Sequence, residues 1–172
     1  AMKTIGGFRM GPFELMDLIG NDVNYAVTKS VFEALGKDQR YRPSDIQKGM
    51  VTAGTLGRKS GRGYYDYAAG AHAPVPKTDE ALGRRIVDRT LAMLINEAAD
   101  AVETGIATRD DVDLAMTKGV NYPKGLLAWA DEIGVGTVAE RIAALRAQFG
   151  GERYRPSALL QRMAREGRKF YG

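Results

Sequence analysis

The 172-residue sequence has no cysteine and one histidine, His72. Without thiols there is no disulfide and no thiolate metal site. One imidazole leaves little for zinc chemistry or a Ser-His triad. Long apolar runs are missing too: the longest, Leu91-Ala92-Met93-Leu94-Ile95, is far short of the ~20 residues of a membrane span. Nothing reads as a signal peptide, and the expected setting is cytoplasmic. Charge of one sign is only slightly in excess, with a net +4 and a pI near 9.3. That suits an anionic ligand or a basic patch but is too little to argue nucleic acid by itself. What is present is ordinary for a globular chain: 44% hydrophobic and 27% charged residues.

The sequence repeats itself. Laid 114 positions on, Ala1, Met2, Gly11, Asp17, Ile19 and Gly20 fall on Ala115, Met116, Gly125, Asp131, Ile133 and Gly134, and Phe8 falls on Tyr122. After a one-residue gap, Arg40-Tyr41-Arg42-Pro43-Ser44 meets Arg153-Tyr154-Arg155-Pro156-Ser157, and Met50 meets Met163. Gly61-Arg62-Gly63-Tyr64-Tyr65 then answers Gly167-Arg168-Lys169-Phe170-Tyr171. Two copies do not make a solenoid; they indicate a duplicated helical unit. The expected organisation is a first repeat over 1–67 lacking its first helices, a Pro/Ala-rich linker over 68–79 and a second repeat over 80–172. The second copy carries two leading helices with no counterpart in the first, so the chain is expected to start inside a unit.

Periodicity predicts only helices, and the expected fold is all-α. Pro12 stands at a first helical turn and Gly20 suits a left-handed C-cap, giving a short helix between them. Further helices are expected over 22–35, from Ser44 to about 53, over 80–104, from Thr108, over 138–149 and from Ser157 to about 165.

Several motifs invite a chemical reading and have a plainer one. The loop from Gly54 to Gly63 lacks the lysine directly after its last glycine that a P-loop needs, and it has neither the third glycine nor the βαβ context of a dinucleotide fingerprint. It reads as a structural turn, with Lys59 and Arg62 free to attract an anion. His72 reads as a solvated linker residue. Asp110, Asp111 and Asp113 read as carboxylates at a helix start. Glu14 and Asp17 have the spacing of an acid/base pair, but Asp17 persists in the repeat as Asp131 while Glu14 becomes Ala128; Asp17 is therefore expected to bind backbone N–H groups or an arginine. The two Arg-Tyr-Arg-Pro-Ser segments and the basic loop sketch a nucleic-acid-binding helix-turn-helix. A basic all-α nucleic-acid module is the alternative reading; helix capping and a tyrosine at the rim of a core explain the same residues.

The segment Gly7-Phe8-Arg9-Met10-Gly11-Pro12-Phe13-Glu14-Leu15-Met16-Asp17-Leu18-Ile19-Gly20 resembles the substrate-side signature of the C-terminal domain of bacterial 3-hydroxyacyl-CoA dehydrogenases. Arg58-Lys59-Ser60-Gly61-Arg62-Gly63-Tyr64-Tyr65 is similar to that domain's closing motif. The second copy matches in a degenerate form through Ile86-Val87-Asp88-Arg89, Asn96-Glu97-Ala98, Gly105 and Asp113-Leu114-Ala115-Met116. Two such domains in tandem resemble the long enzymes acting on 3-hydroxybutyryl-CoA or 3-hydroxyadipyl-CoA. The resemblance implies a 6-phosphogluconate dehydrogenase C-terminal-like helical fold and a separate Rossmann domain that binds NAD and carries the catalytic His-Glu pair. It implies no NAD site and no catalytic residue in this chain. Asp88 stands where the family has an asparagine and cannot offer that residue's amide donor. The inherited roles would be an acyl-CoA wall built from Met10, Pro12 and Phe13 with Asp17, and homodimerisation with the 80–104 helix at or near the interface. In the second copy Lys124, Leu126 and Leu127 replace the wall, which reads as scaffold kept and site lost. No membrane or nucleic-acid partner is implied.

Overall fold

The computed structural model describes residues 1–172, and every regular element is helical. The only strand-like features are isolated bridges, Gly57 with Arg62 and Arg62 with Asp66. In chain order the helices are α1 (Pro12–Ile19), α2 (Asn21–Ala34), α3 (Asp45–Thr52), α4 (Glu80–Glu103), α5 (Arg109–Leu114), α6 (Leu126–Ile133), α7 (Val135–Phe149) and α8 (Ala158–Glu166). Contacts divide them between two compact units. A larger one comprises Ala1–Arg9 with Glu80–Gly172, and a smaller one comprises Met10–Asp79.

In the larger unit α4 is the central element, packed against α6, α7 and α8. One stripe of this helix, including Val87, Leu91, Ala92, Ile95, Ala98 and Ala99, faces inward at helical spacing. Leu127, Val138, Ile142 and Leu160 meet it, fully buried, each contributing about 1.5–3 kcal/mol. Asn96 is the polar member of that core: its side chain accepts from the Ser157 amide and donates to the Arg155 carbonyl, fixing the start of α8. Ser157 caps α8 through the Leu160 amide, and Thr108 caps α5 through the Asp111 amide. α7 begins at Val135, three residues before the apolar pattern suggests, because Gly134, at φ 96°, turns the chain directly from α6 into it.

The segment Ala1–Arg9 belongs to this unit although the repeat aligns it with the first copy. Met2, Ile5 and Phe8 pack on the large core. The Phe8 ring meets Tyr122 edge-on at 5.0 Å and stacks on Trp129 at 5.9 Å. Ile5 lies so close over Gly83 that a Cβ there would collide with it.

In the smaller unit α1 packs on α2 and α2 on α3. Gly20, expected as a left-handed cap, instead adopts φ 107°, ψ 129°; it ends α1 and starts α2 in one step, which removes any room for a closing left-handed turn. The inside of this unit is polar. Its buried side chains are Asp17, Asn21 and Arg40, and every fully buried apolar side chain of the protein belongs to the larger unit. Val23, Val27, Val31 and Leu35 along α2, Leu15, Leu18 and Ile19 on α1, and Ile46 on α3 are exposed.

Candidate functional site

In the smaller unit the centre of the candidate site is a carboxylate. Asp17, 1% exposed, accepts from the Tyr64 amide (2.9 Å), the Tyr65 amide (2.9 Å), the Tyr67 hydroxyl (3.1 Å) and the Asn21 side-chain amide (3.1 Å). The closing loop comes close enough to α1 for this only because it is glycine-rich. A Cβ on Gly63 would overlap the Asp17 carboxylate, and one on Gly57 would overlap the Asp17 backbone. Asp17 therefore acts by holding the loop on α1. Burial first, and then the Asp17 charge, push the Tyr64 phenol above its ordinary pKa.

Around this anchor Met10 is half-buried and Pro12 and Phe13 are exposed. The Phe13 ring stacks on Tyr64 at 4.6 Å, forming an aromatic ledge at the start of α1. Glu14 faces Arg58 at 3.9 Å, and Arg58 lies over the Tyr67 ring at 5.6 Å. This ledge suits the apolar stem of a flexible ligand, and Met10 adds an adaptable edge. The unit offers no cluster of acidic or imidazole groups suited to a metal ion.

The loop from Gly54 to Gly63 folds as the turn its spacing implies. The Ser60 hydroxyl accepts from the Leu56 amide and lies 2.8 Å from the Arg62 carbonyl, and the Lys59 ammonium pairs with Asp22. In the Arg-Tyr-Arg-Pro-Ser segments, Arg40 and Tyr154 are 5% and 3% exposed. Side chains buried to that degree stabilise their own unit and are not presented to a nucleic-acid backbone.

The larger unit repeats the anchor without the ledge. Asp131 accepts from the Phe170 and Tyr171 amides, both at 2.8 Å. Leu126 and Leu127, in place of Pro12 and Phe13, are buried beneath neighbouring helices. Lys124 pairs with Glu132 and lies over Trp129, and Asp88 pairs with Arg141 at 3.2 Å. Sequence spacing did not bring out a second carboxylate here. Asp113, expected at its own helix start, reaches forward to accept from the Leu127 (2.8 Å) and Ala128 (2.9 Å) amides of α6 and from the Tyr171 hydroxyl (3.1 Å). Burial first, then this carboxylate, hold the Tyr171 phenol far above its usual pKa. No signal in the sequence marks it, since a carboxylate at this spacing suits its own helix start equally well. A cavity of about 720 Å³ also belongs to the larger unit. Val102, Ile106, Leu159 and Met163 line it with Arg109 and Arg168, and it includes none of the wall residues.

Comparison with known proteins accounts for both copies. The 3-hydroxyacyl-CoA dehydrogenase C-terminal domain model matches residues 1–67 and again 86–170. The chain is 32% identical over 249 aligned residues to 3-hydroxyadipyl-CoA dehydrogenase of Escherichia coli, covering 95% of this chain and 52% of that protein. It is 29% identical to a fatty acid oxidation complex subunit alpha of a Shewanella species, covering 96% of this chain and 26% of that one. Thus it spans about half the length of the first relative and a quarter of the second. The crystal structure of 3-hydroxybutyryl-CoA dehydrogenase from Escherichia coli superposes with a TM-score of 0.85 at 30% identity, over 97% of this chain and 53% of that one. With the signature segment, the closing loop and the repeated carboxylate anchor all inside the matched residues, the chain belongs to the 3-hydroxyacyl-CoA dehydrogenase C-terminal domain family.

Proposed function

We propose that this chain is the helical, substrate-side portion of an NAD-dependent enzyme that oxidises 3-hydroxyacyl-CoA to 3-oxoacyl-CoA in fatty-acid or aromatic-acid degradation. The match of the family model to both repeats carries the reading. NAD, held by a separate Rossmann domain, supplies the hydride chemistry, and this chain by itself is inactive. Its own residues exclude water and orient the acyl chain. Met10, Pro12 and Phe13 form the wall, and Asp17 holds Tyr64 behind Phe13. Repeats over 1–67 and 80–172, joined by 68–79, form a homodimer in a cytoplasmic setting. That setting agrees with the lack of any helix long and apolar enough to cross a membrane.

Titration of the chain with acetoacetyl-CoA tests the wall. Binding is expected to be weak and saturable, and Met10→Ala should weaken it about tenfold through lost apolar burial. Lys124→Ala, at the equivalent place in the second repeat, should leave it unchanged. Equal binding by the wild type and Met10→Ala would remove Met10 from the wall.

A further inference from the structure

The cavity of the larger unit has walls of two kinds. Met163 and Phe170, 4% and 6% exposed, form its floor, with the half-buried Val102 and Leu159 beside them. At its opening stand the exposed Ile106 and the cations Arg109, Arg168 and Lys169, opposed by a single carboxylate, Asp111.

Two of these side chains give the scaffold little. Ile106 is 79% exposed, an apolar residue in the bend between α4 and α5 where a polar one would serve as well. Lys169 makes no ion pair and stands where the first repeat has Gly63. That repeat folds its loop onto Asp17 through the Tyr64 and Tyr65 amides, as this one folds onto Asp131 through those of Phe170 and Tyr171. The loop itself therefore requires no lysine there. The other charges are partly engaged. Arg168 pairs with Glu166 at 3.2 Å, and Asp111 accepts from the Thr108 hydroxyl at 2.7 Å. Arg109 donates to the Phe170 carbonyl and lies over the Tyr171 ring at 4.8 Å, which fixes its guanidinium at the rim. Lys169 is the cation left for a ligand.

We propose that this cavity binds a medium-chain carboxylic acid, its aliphatic tail between Val102, Ile106, Leu159 and Met163 and its carboxylate on Lys169, with Arg109 and Arg168 to either side. Its volume of about 720 Å³ lies within the roughly 300–1,000 Å³ of small-molecule sites. Aliphatic walls favour a chain over a ring, since the one aromatic side chain present, Phe170, is buried and offers no face for stacking. A nucleotide or a bare phosphate would use the cations and leave the apolar walls in water. The cavity shares no residue with Met10, Pro12 and Phe13, so binding here is separable from acyl-CoA binding there.

Isothermal titration calorimetry of octanoate into the full chain at neutral pH is the test. One saturable site is expected, with a Kd on the order of 100 μM. Hexanoate should bind about tenfold more weakly, because each buried CH₂ contributes roughly fourfold. Ile106→Ser and Lys169→Ser should each weaken octanoate binding about fivefold with unchanged circular dichroism. Lys118→Ser, at an exposed lysine of the same unit outside the cavity, should leave it unaltered, as should Met10→Ala. Failure to saturate by about 5 mM, equal binding of octanol, or loss of binding in Met10→Ala would overturn the proposal. So would displacement of octanoate by coenzyme A without an acyl group, which would mark the cations as a phosphate site.

Discussion

At the scale of single residues, this protein is organised by three aspartates that spend their charge on backbone amides. Asp17 and Asp131 each hold a closing loop, and Asp113 holds the start of α6. Removing such a group strands buried donors, which costs more than the hydrogen bonds themselves contribute. Asp17→Ala should lower the stability of the smaller unit by about 3 kcal/mol and remove hydrogen-exchange protection from the Tyr64 and Tyr65 amides. Protection at Phe170 and Tyr171 should persist, and its joint loss would show the two anchors to be one. The Tyr171 phenol gives the larger unit a pH dependence. Its proton is held more tightly in the folded than in the unfolded chain, so stability is full below the ordinary tyrosine pKa of about 10 and falls as pH rises past it. Tyr171→Phe should flatten that alkaline loss in urea unfolding followed against pH.

At the scale of elements, glycine has opposite meanings at different places. Gly57, at φ 100°, and Gly63 let the closing loop approach α1, whereas Gly136 sits inside α7 with open space where a side chain would go. Gly63→Ala should therefore destabilise the smaller unit by about 3 kcal/mol, and Gly136→Ala should stabilise the larger one by about 0.5–1 kcal/mol, both read from denaturant midpoints. Most elements were legible from local chemistry. Pro12, Thr108 and Ser157 mark helix starts because each acts on its own first turn, whereas Ser44 stands at the N-cap of α3 without a side-chain capping bond. The start of α7 was not, since Gly134 has no capping side chain and its meaning depends on α6 ending there. The reach of Asp113 over 14 positions was equally hidden. A carboxylate at a helix start looks the same whether it serves that helix or the next.

At the scale of the whole molecule, duplication was visible in the residue register, but how each copy is used was not. The segment Ala1–Arg9 aligns with one repeat and packs with the other, because Ile5 and Phe8 find Gly83, Tyr122 and Trp129, a surface that no local pattern reports. The all-α class followed from periodicity, and the wall residues Met10, Pro12 and Phe13 followed from family resemblance alone. Burial separates the copies in energy as well. With the buried apolar side chains confined to the larger unit, the smaller one should open first on heating, its amides exchanging before those of α4, α6 and α7.

The proposed role of this chain is the substrate side of a dehydrogenase and not its hydride chemistry. It is tested most directly by incubating the purified chain with acetoacetyl-CoA and NADH and following NADH consumption. No turnover above the background without protein is expected, and measurable turnover by the chain alone would contradict that role.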